Sequence, residues 1–158
     1  MEPIVRYALP EELGRINELR AMVNALHAEG RPDIFRPGFC QELRDFAEKA
    51  MQSPDLDVIA ALLDGEVCGF AVVRYVDRPE SAYMCARRIY HIEEFGVDAA
   101  FRRRGAASAL VGFCRSEAAR LGFDRIELDV WSFNDEARSF YENAGFHEFR
   151  SFMELKVD

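Results

Sequence analysis

Residues 99–110, AAFRRRGAASAL, constrain this chain more than any other stretch. Three consecutive arginines precede a glycine and a run of small residues, and the run opens an apolar pattern in which Leu110, Val111, Cys114, Ala118 and Leu121 recur at helical spacing up to Gly122. Upstream, IYHIEEFGV reads as a strand ending at Val97. A strand, a tight turn at Gly105 and a helix starting there leave backbone N–H groups without intrahelical partners at the positive end of a helix dipole. Such a turn suits an anion. Gly105, Ala106, Ala107 and Ser108 are small enough to let phosphate oxygens reach those amides, and the guanidinium forks of Arg102, Arg103 and Arg104 match phosphate geometry.

The rest of the chain alternates between the two periods. Ile4 to Leu9 reads as a strand, followed by a helix with Leu13, Ile16, Leu19, Val23 and Leu26 on one face, ending near Gly30. RPDIFRPG must be a loop, and Phe39, Leu43, Phe46, Ala47 and Ala50 mark a second helix, closed by Pro54. VIAALL, Asp64-Gly65 and VCGFAVVRYV read as two antiparallel strands around a tight turn. RIELDVW alternates apolar and acidic residues as a strand with one buried face should. Asn134 and Asp135 can cap a short helix carrying Ala137, Phe140, Tyr141 and Ala144, and HEFRSFMELKV after Gly145 reads as a last strand. With 158 residues and no repeat, one domain over residues 1–158 is expected.

Composition narrows the classes. The 28 acidic residues against 20 basic give a net charge of -8, which argues against a nucleic-acid or anionic-membrane binder and mildly favours amine partners. MEPIVRYALPEEL lacks a leader pattern and no apolar run is long enough to span a bilayer, so a cytoplasmic location is expected. Cys40, Cys68, Cys85 and Cys114 form no CxxC pair, and His27, His91 and His147 are scattered, so no metal is expected.

RRRGAA fits the [Q/R]-x-x-G-x-[G/A] pyrophosphate loop of the GNAT superfamily of acyl-CoA-dependent N-acyltransferases, with Arg102, Gly105 and Ala107 in the defining positions. EEFGVDAAFRRRG and ELDVWSFNDEARSFYENAGF extend the resemblance over residues 89–147. It implies an α/β (α+β) fold: a mixed, mostly antiparallel sheet of six to seven strands flanked by about four helices, with the fourth and fifth strands splayed. It also implies acetyl-CoA as cosubstrate. In this sequence the backbone of Phe95, Gly96 and Val97 would hold the pantetheine arm, the turn from Arg103 to Ser108 the pyrophosphate, and Asn134 the far side of the arm. The Phe95 N–H would then stabilise an oxyanion, and Tyr141 would protonate the leaving thiolate.

The general base stays open among Glu93, Glu94, His91 and a water, with Glu93 first; strict alternation puts His91 and Glu93 on one face and Glu94 on the other. The acceptor would lie against residues 27–40 and 76–88, and a polyamine, an aminoglycoside, an amino acid or a protein N-terminus would all suit the acidic surface. The expected activity is transfer of a short acyl group to a primary amine in a ternary complex, the alternative being an acyl-CoA-binding module without turnover. Exposed strand edges leave room for a homodimer.

Overall fold

A computed structural model describes residues 1–158. Five strands, β1 (Ile4–Tyr7), β2 (Leu56–Leu63), β3 (Glu66–Arg78), β4 (Arg87–Val97) and β5 (Arg125–Leu128), form one sheet in sequence order. The first four are antiparallel, and β5 lies parallel to β4. The helices are α1 (Leu13–Gly30), α2 (Gln41–Gln52), α3 (Ala106–Arg120) and α4 (Asp135–Asn143). None is long and apolar enough to cross a membrane.

The β2–β3 turn forms as Asp64-Gly65 requires, with φ of 53° and 79° at the two residues, the paired left-handed conformation that matches strand twist. Each face of the sheet has its own core. On one side Ile16 and Leu19 of α1 and Ala50 of α2 meet Val58, Ala60, Phe70 and Val72. On the other, Ala106, Leu110, Cys114 and Ala118 of α3 meet Ile59, Ala71, Val73, Tyr90 and Ile92. The apolar spacing read from the α3 sequence is thus the stripe that seats it, while Leu121 lies just past its end.

Two expectations change. The alternation of β4 breaks: Val72 lies opposite Glu94 and Val73 opposite Ile92, so Glu93 is an extra, unpaired residue in a β-bulge. Ile92 and Phe95, three apart, both join the α3-side core. Glu93 and Glu94 therefore share the opposite, α1–α2 face, where strict alternation had separated them. The strand count is five, short of the expected six to seven, because residues 147–158 pair with no strand.

Leu110 is fully buried between α3 and the sheet. Leu110→Ala should therefore cost about 2–5 kcal/mol, lowering Tm in a thermal melt by roughly 5–15 °C with the far-ultraviolet circular dichroism unchanged.

Candidate functional site

The site begins where two strands part. β4 runs on to Val97, yet it pairs with β5 only from Ile89 to Ile92, opposite Arg125 to Leu128. From Glu93 to Val97 the backbone edge turned away from β3 has no strand beside it. The bulge at Glu93 lies at the start of this divergence, and the added twist of a bulge is a local cause of it. The result is a wedge with polar backbone along one wall.

One end of the wedge meets the start of α3. Gly105 is the N-cap with φ 85° and no side-chain cap, a conformation other residues resist. The space where a Cβ would sit is open, its nearest neighbour being Pro3 at 3.9 Å. Arg103 also has positive φ, 63°. The turn is anchored by Asp98, which accepts a 2.9 Å bond from the Ala100 N–H and pairs with Arg15 of α1 at 2.6 Å. These two partners hold the Asp98 carboxyl below its ordinary pKa, the backbone bond first.

The three arginines divide their work. Arg102 pairs with Glu136 in the first turn of α4 at 2.9 Å, and Arg104 reaches Asp64 of the hairpin at 3.5 Å. Arg103 makes no ion pair within the chain and stands beside the α3 N-terminus with its charge uncommitted. Asn134 also has a structural duty: its Oδ1 accepts the Ala137 N–H at 3.1 Å and caps α4. Its amide nitrogen remains available to a neighbour.

α4 brings Tyr141 to the wedge. The phenol ring meets Phe95 edge-on at 5.8 Å between centroids, with Phe140 and Phe146 at 5.5 and 5.7 Å. Burial first, and the nearby Cys114 second, push its pKa up to about 12. Tyr141 therefore keeps its proton throughout the neutral range.

On the α1–α2 face, both carboxylates of the bulge are ion-paired. Glu94 takes two bonds from the buried Arg20, Nε to Oε1 at 2.7 Å and a terminal nitrogen to Oε2 at 3.1 Å. Arg20 also donates to Asn17 and to the Leu43 carbonyl, and its guanidinium carbon lies over the rings of Phe39 and Phe46, 5.2 and 5.3 Å from their centroids. Glu93 instead accepts one bond from the half-exposed Arg74, 2.7 Å to Oε1, leaving Oε2 free. His91 sits opposite Arg74 on the same face.

A cluster that the sequence did not single out walls this face at the end of α1. His27 stacks on Phe35 at 4.9 Å and meets Phe133 edge-on at 6.2 Å, while Trp131 stands against Phe35 at 4.9 Å. Phe133 packs so tightly on Gly30 that an added Cβ would fall 2.2 Å from the ring. Desolvation lowers the His27 pKa, partly offset by the Glu94 charge. Only the density of aromatics in the loops after α1 and β5 hinted at it.

Known proteins share this fold. Residues 20–146 match the model of the Acetyltransferase (GNAT) family. The L-amino acid N-acetyltransferase AaaT of Escherichia coli K12 is 31% identical over 105 residues, 63% of this chain; the match spans only 58% of that longer relative. A mutant of the BH1408 protein from Bacillus halodurans superposes with a TM-score of 0.93 at 26% identity, covering 98% of this chain and 99% of its own. The aminoglycoside N-acetyltransferase AAC(6')-Iy, solved with CoA, shares the fold with a TM-score of 0.76 at 18% identity over 99% of this chain and 95% of its own. With most of its length matched by the family model, a mixed five-stranded sheet and a wedge between β4 and β5, this chain belongs to the GNAT acetyltransferase family.

Proposed function

We propose that this protein transfers an acetyl or other short acyl group from acetyl-CoA to a primary amine by direct attack in a ternary complex. The observation that carries the reading is the wedge itself: unpaired β4 backbone from Glu93 to Val97, the uncapped N-terminus of α3 at one end, and a proton-bearing Tyr141 beside Phe95. These features fit CoA. The free N–H groups at Gly105 to Ser108, with Arg103, suit a pyrophosphate, and the exposed β4 edge can hydrogen-bond an amide-rich arm as a strand would. The match to CoA-bound relatives of the same fold supports this choice. When bound, acetyl-CoA supplies an activated thioester.

The chain's residues then divide three tasks. The Phe95 N–H donates to the carbonyl oxygen as negative charge develops there. The Tyr141 hydroxyl, whose pKa cause is burial without a protein hydrogen-bond acceptor, donates its proton to the departing sulfur. A base on the α1–α2 face removes the proton from the incoming ammonium. Glu93 is better suited than Glu94, because both Glu94 oxygens are occupied by Arg20 whereas Glu93 keeps Oε2 free. Glu94 instead anchors the bulge to α1 through Arg20, next to the face walled by His27 and Phe35. An amino acid or an aminoglycoside, the substrates named for relatives, are the acceptor classes to test first.

A screen of amine classes with acetyl-CoA, read by thiol release, tests turnover and acceptor together; no release above the rate of water with any class would overturn the reading. At saturation, Tyr141→Phe should retain acetyl-CoA affinity while kcat falls about 10²–10⁴-fold, toward the lower end because solvent can reprotonate a thiolate of pKa near 8.5. An unchanged kcat where chemistry limits the rate would reduce Tyr141 to packing.

Gly105→Glu should stay folded and lose CoA binding, since a bulky anion and a resisted backbone angle would enter the turn. Isothermal calorimetry checks it against the wild type, in which CoA at about a hundred times Kd should add ~2.7 kcal/mol and raise Tm by roughly 5–10 °C.

The two glutamates should respond differently. Glu93→Gln should lower kcat with little change in Tm, whereas Glu94→Gln strands the buried Arg20 charge and should lower Tm by several degrees, about 3 kcal/mol. Paired melts and kinetics separate the two roles.

A further inference from the structure

The roles assigned so far leave unused the rings that close the α1–α2 side of the wedge. His27 and Phe35 come from the end of α1 and the connection after it, Trp131 and Phe133 from the segment that continues past β5. The rings therefore join the two sides of the divergence between β4 and β5. The junction is tight, since the Phe133 ring takes the space that a Cβ on Gly30 would need. One turn earlier in α1, Val23 packs on Gly96 in the open stretch of β4, and His27 lies close enough to Glu94 to feel its charge. The cluster thus stands beside the carboxylates of the bulge.

Its surface is that of a binding wall rather than a core. All four rings are only half-buried, and Ile34 next to Phe35 is exposed. Aromatic faces and edges favour a further ring as partner. A small-molecule site typically sets such an apolar wall beside a few placed polar groups that orient the reactive atom. Here the nearby polar group is Glu93, whose Oε2 is free.

Local charge narrows the amine further. The chain is acidic overall, at -8, which by itself favours any cation. Beside the rings that charge is neutralised in pairs: Glu94 with Arg20 at 2.7 Å, Glu93 with Arg74 at 2.7 Å and Asp33 with Arg31 at 2.8 Å. Asp129, two residues before Trp131, is exposed and has no ion pair, while Glu29, two residues from His27, faces another side of the helix. A polyamine or an aminoglycoside needs several unpaired carboxylates along its length, and this face does not supply them. Burial holds the His27 pKa below its ordinary value, so its ring adds no positive charge at neutral pH and is free to stack.

Resting on the acyl-transfer reading, we propose that the amine this site takes is a primary monoamine carried on an aromatic ring, as in an arylethylamine or an aromatic amino acid, with the ring against Phe35 and Trp131 and the amine toward Glu93. In the reaction the nitrogen bonds the acyl carbon as the C–S bond breaks. The ammonium loses two protons in all, the thiolate leaves as CoA thiol, and one net proton passes to solvent.

Trp131 is the only tryptophan in the chain, so occupancy of this wall can be read from its emission without turnover. With CoA present, titrations of 2-phenylethylamine and L-phenylalanine separate a bare arylethylamine from an aromatic amino acid; ethylamine, spermidine and kanamycin are the comparison amines. At least one of the two aromatic amines should shift Trp131 emission saturably. In the thiol-release assay its kcat/KM should exceed that of ethylamine and of both polycations by about tenfold or more. Phe35→Leu should lower the ratio of aromatic-amine to ethylamine kcat/KM about tenfold, mostly through KM, and any loss of folded enzyme cancels in that ratio. Equal or better use of spermidine or kanamycin would overturn the inference and leave acyl transfer standing. So would Trp131 emission unmoved by both aromatic amines, or an unaltered ratio in Phe35→Leu. Saturable binding of an aromatic amine with no thiol release from any amine would uphold the aromatic-amine site and overturn acyl transfer instead.

Discussion

One strand serves two neighbours unequally, and the site follows from that. β4 holds its ladder to β3 along its whole length but shares only four register positions with β5. A fully paired β4 would leave no backbone donor or acceptor for a ligand, and an unpaired one would be too loose to place Phe95. The extra residue at Glu93 reconciles the demands, since a bulge adds twist at one edge without undoing the ladder. It also turns two carboxylates onto one face.

Rigid packing then fixes what the wedge presents. Gly96 lies so close to α1 that a Cβ there would sit 2.7 Å from Val23, so the open stretch of β4 is pressed against the helix behind it. From the other side, Tyr141 is clasped by Phe95, Phe140 and Phe146. The α3 N-terminus is tied to α1 through Asp98 and Arg15 and to α4 through Arg102 and Glu136. The groups proposed to meet a ligand are thus held in place by packing and ion pairs, as preorganised binding requires. Of the three arginines, only Arg103 makes no ion pair, so two of the triplet brace the turn and the third is the one the proposed pyrophosphate site would use.

The electrostatics of the opposite face have the same economy. Arg20 is almost fully buried, and such a charge persists only when paired and hydrogen-bonded. Glu94, Asn17 and the Leu43 carbonyl meet that need, with the rings of Phe39 and Phe46 against the guanidinium. This commits Glu94 and leaves Glu93 as the freer carboxylate, a distinction of position between chemically identical neighbours.

Local chemistry was legible in the sequence. The apolar periods located α1, α2, α3 and the five strands, Asn134 marked the start of α4, the Asp64-Gly65 turn was read from residues that tolerate positive φ, and the Gly105 turn was recognisable from a glycine and small residues following three arginines at the end of a strand. These depend on interactions within a few residues. What only the tertiary structure decided depends on residues distant in sequence: that Glu93 is a bulge, which requires knowing its β3 partner; that Arg102 braces α4; that His27 joins Phe35, Trp131 and Phe133. The last segment separates the two kinds of information most cleanly. Its alternation is strand-like by itself, yet a strand exists only beside another, and within one chain residues 147–158 have none.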